Sequence, residues 1–469
     1  MFKKILIANR SEIAVRVIRA CREMGIKSVA VYSEADRESL HTRLADEAVC
    51  IGPGPSRLSY LNKDAILAAC KITGADAVHP GYGFLSENPD FADAVEAAVM
   101  TFIGPKGAAM RMLGLKSAGK AVAKAAGVPV VPGTDGNVDA AYLKNLKKNV
   151  SDGIGFPVMI KASAGGGGKG MRLVRDPEQI EAQLKQAQAE AQASFGDSSV
   201  LIEKFVEEPR HVEIQIACDT RGNFVALPER DCTVQRRHQK LIEESPSPAV
   251  PPETRRAMQE AAVRLAQKCN YTNVGTVEFL YDKHGKFYFL EVNTRLQVEH
   301  PVTETVTGLD LVVAMIMAAA GEKLPFDQAR ATEIRCHSIE HRINAEDPDR
   351  GFAPCPGRID SLLLPGGAGV RLDTHIYAGY TVPSYYDSLL AKLITNAPDR
   401  ASCIERSLRA LGELEIGGVK TTASYHKKVL KTEEFRSGKF DTSLVERIAA
   451  KENAGNGKTE AGNHVAAAR

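Results

Sequence analysis

The sequence has no pair of cysteines at the two-residue spacing of a zinc knuckle, and its nine cysteines, an odd number, are scattered along 469 residues. A disulfide framework needs paired cysteines, usually in a short secreted chain. A structural zinc site needs close pairs of cysteine or histidine ligands. Neither feature is therefore indicated, and we expect reduced thiols, most of them buried.

Long apolar runs are also missing. The longest apolar stretch, residues 311–320, is far shorter than the roughly twenty residues that span a bilayer. The N-terminus, MFKKILIANRSE, carries two lysines, but its apolar run is too short for a signal peptide. We therefore expect a soluble, cytoplasmic protein without a membrane partner, in which 311–320 is a core helix.

The chain has no excess of either charge. Lys plus Arg is 60 and Asp plus Glu is 58, which gives a formal net charge of +2. Bulk charge thus gives no reason to expect nucleic acid or an anionic membrane as the main partner. The composition, with 44% hydrophobic and 25% charged residues, is ordinary for a globular chain. The length suits roughly three domains with several cores.

The first hundred residues alternate short apolar strands with amphipathic helices. Strands are predicted at 4–8, 28–32, 77–78 and 101–103. Between the first two, apolar residues from Ile13 to Cys21 recur at helical spacing. Strands that alternate with helices indicate a parallel α/β sheet.

Glycine is absent from the first strand-to-helix turn, residues 8–12 (ANRSE). A dinucleotide fingerprint needs glycines there, because a pyrophosphate must approach the backbone closely. A nicotinamide-dependent dehydrogenase is therefore disfavoured.

The pattern changes after a turn-rich boundary at 127–136. Further strands are predicted at 157–161, 200–206 and 287–290, antiparallel strands over 212–227, and a helix over 401–411. A helical stretch rich in Ala, Gln and Glu separates the first two of these strands. The segment beyond 450 is polar and rich in Gly and Ala, which predicts disorder.

Four consecutive glycines, Gly165 to Gly168, follow the strand at 157–161 and precede Lys169 and Gly170. Such a run lets backbone N–H groups face anionic oxygens, although alone it fits a flexible linker equally well. It is not a Walker A loop, because Gly170 stands where Ser or Thr would supply a magnesium ligand. Lys161, at the end of the strand, favours a clamp for nucleotide phosphates.

Polar residues alternate with apolar ones after residue 289. In an extended chain, one side would carry Glu291, Asn293, Arg295, Gln297 and Glu299. Leu290, Val292, Leu296 and Val298 would face a core. Carboxylate and amide oxygens suit Mg²⁺, and Glu278 on a neighbouring apolar strand could complete the set. The alternative is a solvated strand face.

A local basic cluster, QRRHQK at 235–240, is followed by Glu243 and Glu244. Alone it fits a surface loop or a nucleic-acid patch equally well, although it has no interleaved aromatic residues for base stacking.

Together these segments resemble the biotin carboxylase component of acetyl-CoA carboxylase and of other biotin-dependent carboxylases, within the ATP-grasp superfamily. The resemblance runs from residue 1 to about 445. Its motifs are ILIANRSEIAVRVIRAC at 5–21, HPGYGFLSEN at 79–88, FIGPK at 102–106, KASAGGGGKGMR at 161–172, EKFVEEPRHVEIQ at 203–215, ERDCTVQRRHQKLIEESP at 229–246, EVNTRLQVEHPVTE at 291–304, HRINAEDP at 341–348 and HIYAGYTVPSYYDS at 375–388.

The resemblance implies a mixture of α/β and α+β domains. The first, 1–114, would be a Rossmann-like domain, and the second, 115–330, an ATP-grasp core whose mobile lid covers about 133–203. The third, 331–446, would be the biotin carboxylase C-terminal domain, with a disordered tail at 447–469. Members of the family usually form homodimers, and we expect one here.

The resemblance also assigns roles. ATP would be bound by Lys116, Lys161, Gly165, Gly166, Gly167, Gly168, Lys169, Gly170, Glu203, Lys204, His211, Gln235, His238, Glu278 and Glu291. Mg²⁺ or Mn²⁺ would be held by Glu278, Glu291 and Asn293. Bicarbonate would be bound by Lys240, Arg295, Gln297 and Val298. Biotin would be bordered by Tyr82, Gly83 and Arg342. Glu299 would be the base that deprotonates bicarbonate, and the catalytic set would be Glu299, Arg342, Arg295 and Lys240.

Four positions depart from the family pattern. Ser11 and Ala164 replace glycines, Lys169 replaces an arginine in the lid, and His341 precedes Arg342 where cysteine is frequent. None of these changes removes a charge from a catalytic role, so we expect the lid changes to affect rate more than specificity.

The biotin-attachment motif Ala-Met-Lys-Met is absent from the chain. We therefore expect the biotin carboxyl carrier protein and the carboxyltransferase to be separate chains. Acetyl-CoA is the first choice for the final acceptor. Pyruvate, or another acyl-CoA or 2-oxoacid, is close behind, since FDTS at 440–443 resembles two-subunit pyruvate carboxylases.

Two other functions stay open. One is an ATP-grasp ligase that joins a carboxylate to an amine, against which the segments 235–240 and 341–348 argue. The other is a non-catalytic nucleotide-binding regulator, which the presence of both Glu299 and Arg342 disfavours.

Overall fold

The computed structural model describes residues 1–134, 137–138, 140–163 and 171–452. The predicted glycine loop, with Ala164, Gly165 to Gly168, Lys169 and Gly170, lies outside the described residues. The predicted tail from 453 onward also lies outside them.

The first part of the chain forms the predicted parallel sheet. Its strands are β1 (Lys4–Ile7), β2 (Lys27–Tyr32), β3 (Glu47–Cys50), β4 (Ala77–His79) and β5 (Thr101–Phe102). Its helices are α1 (Ser11–Glu23), α2 (Leu40–Leu44), α3 (Lys63–Thr73), α4 (Pro89–Ala97) and α5 (Gly107–Gly114). The strands lie in the order β3-β2-β1-β4-β5, and all neighbours are parallel. The apolar stripe of α1 packs into the core beside β1, as its helical spacing predicts.

Ser11 at the first turn has a backbone φ of 65°. This left-handed conformation strains any residue with a Cβ atom. The strain explains why the family that the chain resembles usually has glycine at this turn. Ser11 gains a partner that glycine lacks, because its Oγ lies 2.8 Å from Nδ1 of His375.

The next segment builds a small three-stranded unit with its own core. Its helices are α7 (Ala140–Leu143), α8 (Leu146–Gly153) and α9 (Ile180–Phe195), whereas the preceding helix α6 (Lys116–Ala125) packs on the core of the large sheet. Its strands are β6 (Val158–Ala162), β7 (Met171–Val174) and β8 (Val200–Lys204), in the order β7-β6-β8. A core that includes Val158, Ile160, Leu184 and Ile202 packs α9 against the sheet.

The remaining chain carries the larger sheet and its helices. The strands are β9 (Arg210–Cys218), β10 (Phe224–Arg236), β11 (Gln239–Ser245), β12 (Asn273–Tyr281), β13 (Phe287–Asn293), β14 (His337–Asn344), β15 (Glu346–Asp347), β16 (Ala353–Pro354), β17 (Leu362–Leu363), β18 (Val370–Thr374), β19 (Leu389–Ala397) and β20 (Glu415–Ile416). The helices are α10 (Pro252–Lys268), α11 (His300–Thr307), α12 (Leu311–Ala319), α13 (Gln328–Ala331), α14 (Arg400–Glu413), α15 (Ala423–Leu430) and α16 (Glu433–Ser437).

One antiparallel sheet of eight strands joins the second and third predicted domains. Its order is β13-β12-β9-β10-β11-β14-β19-β18, so hydrogen bonds between β11 and β14 cross the predicted boundary at 330 and 331. The strands on either side of that boundary therefore share one surface, on which side chains from both domains meet.

Helix α12 fills the space between the parallel sheet and the large sheet. Its apolar side chains are buried with those of β1 and α1, so the predicted core helix at 311–320 is confirmed. Among the described residues no single helix is long and apolar enough to cross a membrane. Helices α11 and α12 meet these criteria only when they are taken together, and they are bent by 100° relative to each other. All nine cysteines are free, and six of them are buried.

The predicted disordered tail begins too early. Residues 444–452 are helical, because Leu444, Val445 and Ile448 form an apolar stripe that is buried in the core of the third domain. The polar composition of the segment concealed this stripe.

A buried ion pair ties the first sheet together. Arg10 donates from Nε to Oδ2 of Asp36 over 2.6 Å and from a terminal nitrogen to Oδ1 over 2.7 Å. The hydroxyl of Tyr60 donates to Oδ2 over 2.6 Å. Burial alone would raise the pKa of Asp36, but the Arg10 guanidinium outweighs it and lowers the pKa to about 2. The pair therefore stabilises the fold above the ordinary aspartate pKa, and this contribution is lost as the pH falls towards 2.

Replacing Asp36 by asparagine should lower the melting temperature markedly at neutral pH. Removing one partner of a buried pair leaves an uncompensated charge, at a cost of about 3–5 kcal/mol. Thermal melting followed by circular dichroism checks this. Asp90→Asn is the matched control, because its partner Arg111 is half exposed and surface pairs contribute little to stability. Equal melting temperatures for the two variants would contradict the stabilising role of the ion pair between Arg10 and Asp36.

Candidate active site

A row of charged side chains crosses the large sheet. Cross-strand pairing places Arg230 of β10 opposite Glu213 of β9, Glu213 opposite Glu278 of β12, and Glu278 opposite Glu291 of β13. Directly opposed residues lie on one face about 4.5–5.5 Å apart at Cβ. Three carboxylates in one row repel each other, so cations must be supplied to this face.

Lys240 of β11 supplies one of them. Its Nζ donates to Oε2 of Glu213 over 2.7 Å, to Oε1 of Glu278 over 2.9 Å and to Oε1 of Glu299 over 2.6 Å. Burial alone would lower the pKa of this lysine, but the surrounding acidic groups raise it well above its ordinary value. Lys240 is therefore a fixed positive charge whose three ammonium hydrogens all bind carboxylates.

Glu299 lies at the start of α11, between two cations, and is fully buried. Its Oε1 accepts from Lys240, and its Oε2 accepts from Arg342 over 2.8 Å. Burial opposes ionisation, but Lys240 and then Arg342 outweigh it and hold the pKa of Glu299 well below its ordinary value. A carboxylate held ionised in a water-poor site has the chemistry of a general base.

Arg342 lies on β14 and bridges the carboxylates of Glu243 and Glu299. Its Nε donates to Oε1 of Glu243 over 2.6 Å, and a terminal nitrogen donates to Glu299. His341, the unusual neighbour, points to the other face of the strand and packs against His426 with ring centroids 5.4 Å apart. The departure from the family pattern therefore does not touch the site.

The predicted extended stripe is only partly extended. Strand β13 ends at Asn293, and residues 294–299 form a loop and turn. The polar side chains nevertheless converge, because Arg295 donates to Oδ1 of Asn293 over 3.1 Å and to Oε1 of Gln297 over 2.8 Å. The amides of Asn293 and Gln297 both donate to Oε1 of Glu278, over 2.9 and 3.3 Å.

Four apolar residues of the stripe were predicted to face a core, and the structure buries two of them. Val292 and Leu296 are buried, whereas Leu290 and Val298 are only half-buried. Leu290 lines a small pocket beside Lys116 and Lys161 instead of facing a core, because a register shift between β12 and β13 leaves it without a cross-strand partner. The expectation for this residue was wrong.

Glu278 and Glu291 fit a divalent cation. They oppose each other in neighbouring strands, and the pKa of Glu291 is raised by burial and then by the charge of Glu278. Nζ of Lys116 lies 3.7 Å from Oε2 of Glu291. His211 adds a further contact, because its Nε2 lies 2.9 Å from Oε2 of Glu278. Hard carboxylate oxygens and the amide of Asn293 are the donors that Mg²⁺ prefers.

Three lysines gather beside this pair around Glu203. Its carboxylate accepts from Lys161 over 2.5 Å and from Lys120 over 2.9 Å, and Lys116 lines the same pocket. Burial alone would raise the pKa of Glu203, but Lys161 and Lys120 lower it. The pocket is therefore a concentrated positive region suited to polyphosphate.

The other residues that were predicted to bind the nucleotide make separate contacts. Lys204 turns to the backbone and donates to the carbonyls of Gly155 and Phe156 over 3.2 and 2.7 Å. Gln235 and His211 lie side by side, with Nε2 and Nδ1 3.5 Å apart. His238 is exposed at the tip between β10 and β11 with a φ of 66°.

The predicted biotin residues lie at the turn after β4. Gly83 is exposed with a φ of 68°, and Tyr82 is half-buried. The carbonyl of Tyr82 accepts from the amide of Asn9 over 2.7 Å, which fixes this turn to the first strand-to-helix connection.

Sequence reasoning assigned no role to several residues of the site, namely Glu87, Lys120, Glu213, Arg230 and Glu243. Glu213 is fully buried and accepts from Arg230 over 2.5 Å as well as from Lys240. Glu87 accepts from Nε of Arg295 over 2.8 Å and from the amide N–H of Thr294 over 2.9 Å. Both lie in segments that carry the family resemblance, 203–215 and 79–88, and the alternation of the strand at 212–227 pointed to Glu213.

Models of three protein families match the chain. The biotin carboxylase N-terminal domain matches residues 1–110, and the biotin carboxylase C-terminal domain matches 340–447. The ATP-binding domain of the carbamoyl-phosphate synthase L chain matches residues 116–327.

Whole proteins and solved structures are similar along almost the full length. The chain is 53% identical to a biotin carboxylase of Nostoc sp., covering 95% of this chain and 99% of that protein. It is 52% identical to a pyruvate carboxylase subunit of Methanothermobacter thermautotrophicus, covering 95% and 90%. Biotin carboxylase of Campylobacter jejuni, solved with β,γ-ATP, superposes with a TM-score of 0.91 at 46% identity, covering 95% and 99%. The biotin carboxylase domain dimer of Hydrogenobacter thermophilus 2-oxoglutarate carboxylase was solved with MgADP, ADP and bicarbonate. It superposes with a TM-score of 0.90 at 46% identity, covering 95% of this chain and 98% of that chain.

Replacing Glu291 by glutamine should stabilise the metal-free chain and weaken its response to MgADP. The change removes a like-charge pair, an effect of roughly 0.2–1 kcal/mol. Because the pKa of Glu291 is raised, proton uptake stabilises the fold at acid pH and this effect is lost as the pH rises, so the gain should be larger at pH 8 than at pH 5.

Melting curves with and without MgADP measure both effects. Glu415→Gln, at an exposed position of the two-stranded sheet of β17 and β20, is the control. A lower melting temperature without metal, together with an intact response to MgADP, would contradict the assignment of Glu291.

Proposed function

Because the chain belongs to the biotin carboxylase family, we propose that this site uses ATP and bicarbonate to carboxylate biotin on a carrier protein. The observation that carries the proposal is the position of Glu299. It touches both Lys240, beside the acidic row, and Arg342, the residue assigned to biotin. A base, a bicarbonate-binding cation and a biotin-binding cation thus share one contact network.

Bicarbonate is a poor nucleophile and must lose a proton before it attacks ATP. Glu299 is the base that takes this proton, with Lys240 and Arg295 opposing the charge of the resulting dianion. One oxygen of the dianion attacks the γ-phosphorus, and ADP leaves with the electron pair of the broken bond. The product is carboxyphosphate, which must be protected from water.

Carboxyphosphate then breaks down to CO₂ and phosphate. The phosphate takes the N–H proton of biotin, and the biotin nitrogen forms a bond to CO₂. Arg342 stabilises the enolate oxygen of the deprotonated biotin, because a guanidinium stays charged throughout. Tyr82 and Gly83 border the biotin.

The nucleotide is proposed to lie over the lysine-rich pocket. Lys116 and Lys161 bind its phosphates, and the lid around Gly165 to Gly170 closes over them. Glu203, Lys204, His211, Gln235 and His238 border the rest of the nucleotide. Glu278, Glu291 and Asn293 would hold Mg²⁺ or Mn²⁺, which when bound neutralises charge on the transferred phosphoryl group.

The domain boundaries predicted from the sequence, 1–114, 115–330 and 331–446, remain part of the proposal, as does a cytoplasmic location. The partners proposed are a separate biotin carboxyl carrier protein, a carboxyltransferase and a second copy of the chain. One solved relative is a dimer, which supports the homodimer. Acetyl-CoA is the first choice of acceptor. Pyruvate stays open, because one relative at 52% identity belongs to a pyruvate carboxylase.

An ATP-grasp ligase that joins a carboxylate to an amine is the more distant alternative. ATP turnover by the purified chain should require bicarbonate and should increase with free biotin. Turnover that ignores biotin and increases with an amine would favour the alternative.

Glu299→Gln should retain nucleotide binding but lose most turnover. The variant keeps the shape of the side chain without its basicity, and general-base catalysis contributes about 10²–10⁴-fold. ADP affinity within about threefold of the parent, together with a fall of about 10²-fold or more in ATP turnover, is the expected pair of results. Unchanged turnover would refute the assignment of the base.

Arg342→Ala should impair biotin carboxylation more than nucleotide binding. Its guanidinium is assigned to the biotin enolate, and losing one such donor costs about 10²–10³-fold in turnover. Arg342→Lys is the matched variant, because it keeps the charge but loses the fork of donors, and it should recover part of the activity. An equal loss of ADP binding and of carboxylation in the alanine variant would count against this role.

A further inference from the structure

Lys392 is a fully buried lysine on β19 that no sequence motif singled out. The register of the sheet places it directly opposite Arg342 of β14 and opposite Asp373 of β18. It therefore lies on the same face of the sheet as the arginine assigned to biotin.

Two cations in opposed positions repel each other, so each needs acceptors of its own. Arg342 binds Glu243 and Glu299, as described above. Nζ of Lys392 donates to the carbonyl oxygen of Val298 over 3.0 Å and lies 3.1 Å from Oε2 of Glu12 on α1. Lys392 thus joins all three predicted domains at one atom.

The bond to Val298 fixes the turn that leads into Glu299. His300 fixes the preceding carbonyl, since its Nδ1 lies 2.9 Å from the oxygen of Gln297 and its backbone N–H donates to the same oxygen over 3.3 Å. Because a trans peptide is planar, holding the carbonyl of Val298 towards Lys392 aims the N–H of Glu299 in the opposite direction. The turn 297–299 is thereby locked on both sides.

Lys392 also touches the proposed biotin border. Its Nζ lies 5.6 Å from the centre of the Tyr82 ring, within the range of a cation–π contact. One ammonium group therefore contacts the bicarbonate turn and the biotin border together.

Fold stability is a weak reason to keep this group. Burying an ion pair is costly, and replacing both partners by well-packed side chains without charge is often neutral or stabilising. What an apolar side chain lacks is a donor for the Val298 carbonyl, which would then keep its place only through the backbone of the turn.

We propose that Lys392 is a positioning residue, which holds the carbonyl of Val298 so that the turn 297–299 presents its bicarbonate-binding groups beside Arg342. This inference rests on the proposed function of the site. It predicts a defect in bicarbonate saturation and leaves nucleotide binding intact.

The test compares Glu12→Gln with the double variant Glu12→Gln/Lys392→Met. The double change avoids leaving a buried carboxylate without its cation, and the single change controls for the loss of the ion pair. Relative to Glu12→Gln, the double variant should raise the KM for bicarbonate about tenfold or more, the size expected for a lost charged hydrogen bond. MgADP affinity should change by less than about threefold. The melting temperature should not fall below that of the control, in which Lys392 is left without the charge of Glu12.

Two results would overturn the inference while leaving the proposed function in place. Normal saturation with bicarbonate in the double variant would show that the turn keeps its place without Lys392. A parallel loss of MgADP affinity and bicarbonate saturation would show a merely structural role. A parent chain whose ATP turnover ignores bicarbonate and biotin would instead refute the proposed function, and this inference with it.

Discussion

The charge of Lys240 among three buried carboxylates is the interaction on which the site depends. Glu213 and Glu278 face each other in neighbouring strands, and Glu299 approaches from the start of α11. Without a cation between them these groups could not all stay ionised in a water-poor environment. Because one ammonium group binds all three, the acidic row, the base and the sheet that carries them form one unit.

The same arrangement explains why the second and third predicted domains share a sheet. Lys240 and Glu243 lie on β11, while Arg342 lies on β14, and these strands are hydrogen-bonded neighbours. Glu299 therefore receives one cation from each side of the predicted boundary. Charges held on adjacent rigid strands keep their spacing better than charges on loops, which suits a site that must orient two substrates.

The local patterns of the sequence predicted part of the fold, and the family resemblance supplied its division into domains. Apolar runs indicated β1 and the core helix α12, helical spacing indicated α1 and alternation indicated β2, because burial imposes its pattern directly on the residues. The resemblance to a family supplied the site residues, and the structure brings Glu278, Glu291, Lys240, Glu299 and Arg342 together. It does not group all of them, since Lys204 binds backbone carbonyls instead.

What the sequence concealed depends on contacts between distant segments. No local pattern shows that Glu87 receives Arg295 across 208 positions, or that Lys392 reaches Val298 from another domain. The sequence left the end of β13, which lies at Asn293, undetermined for a related reason. The polar alternation continues beyond it, but the side chains converge through a loop that only tertiary contacts determine.

The two cations that keep Glu299 ionised also lower its affinity for a proton. The central claim is that bicarbonate, once deprotonated, attacks the γ-phosphorus of ATP. Turnover with ¹⁸O-bicarbonate, stopped before exchange with water and read by mass spectrometry of the phosphate, tests it directly. The account predicts one labelled oxygen in each phosphate formed, because the attacking oxygen stays on phosphorus when carboxyphosphate releases CO₂. Phosphate that carries no label, with its new oxygen drawn from water, would contradict it.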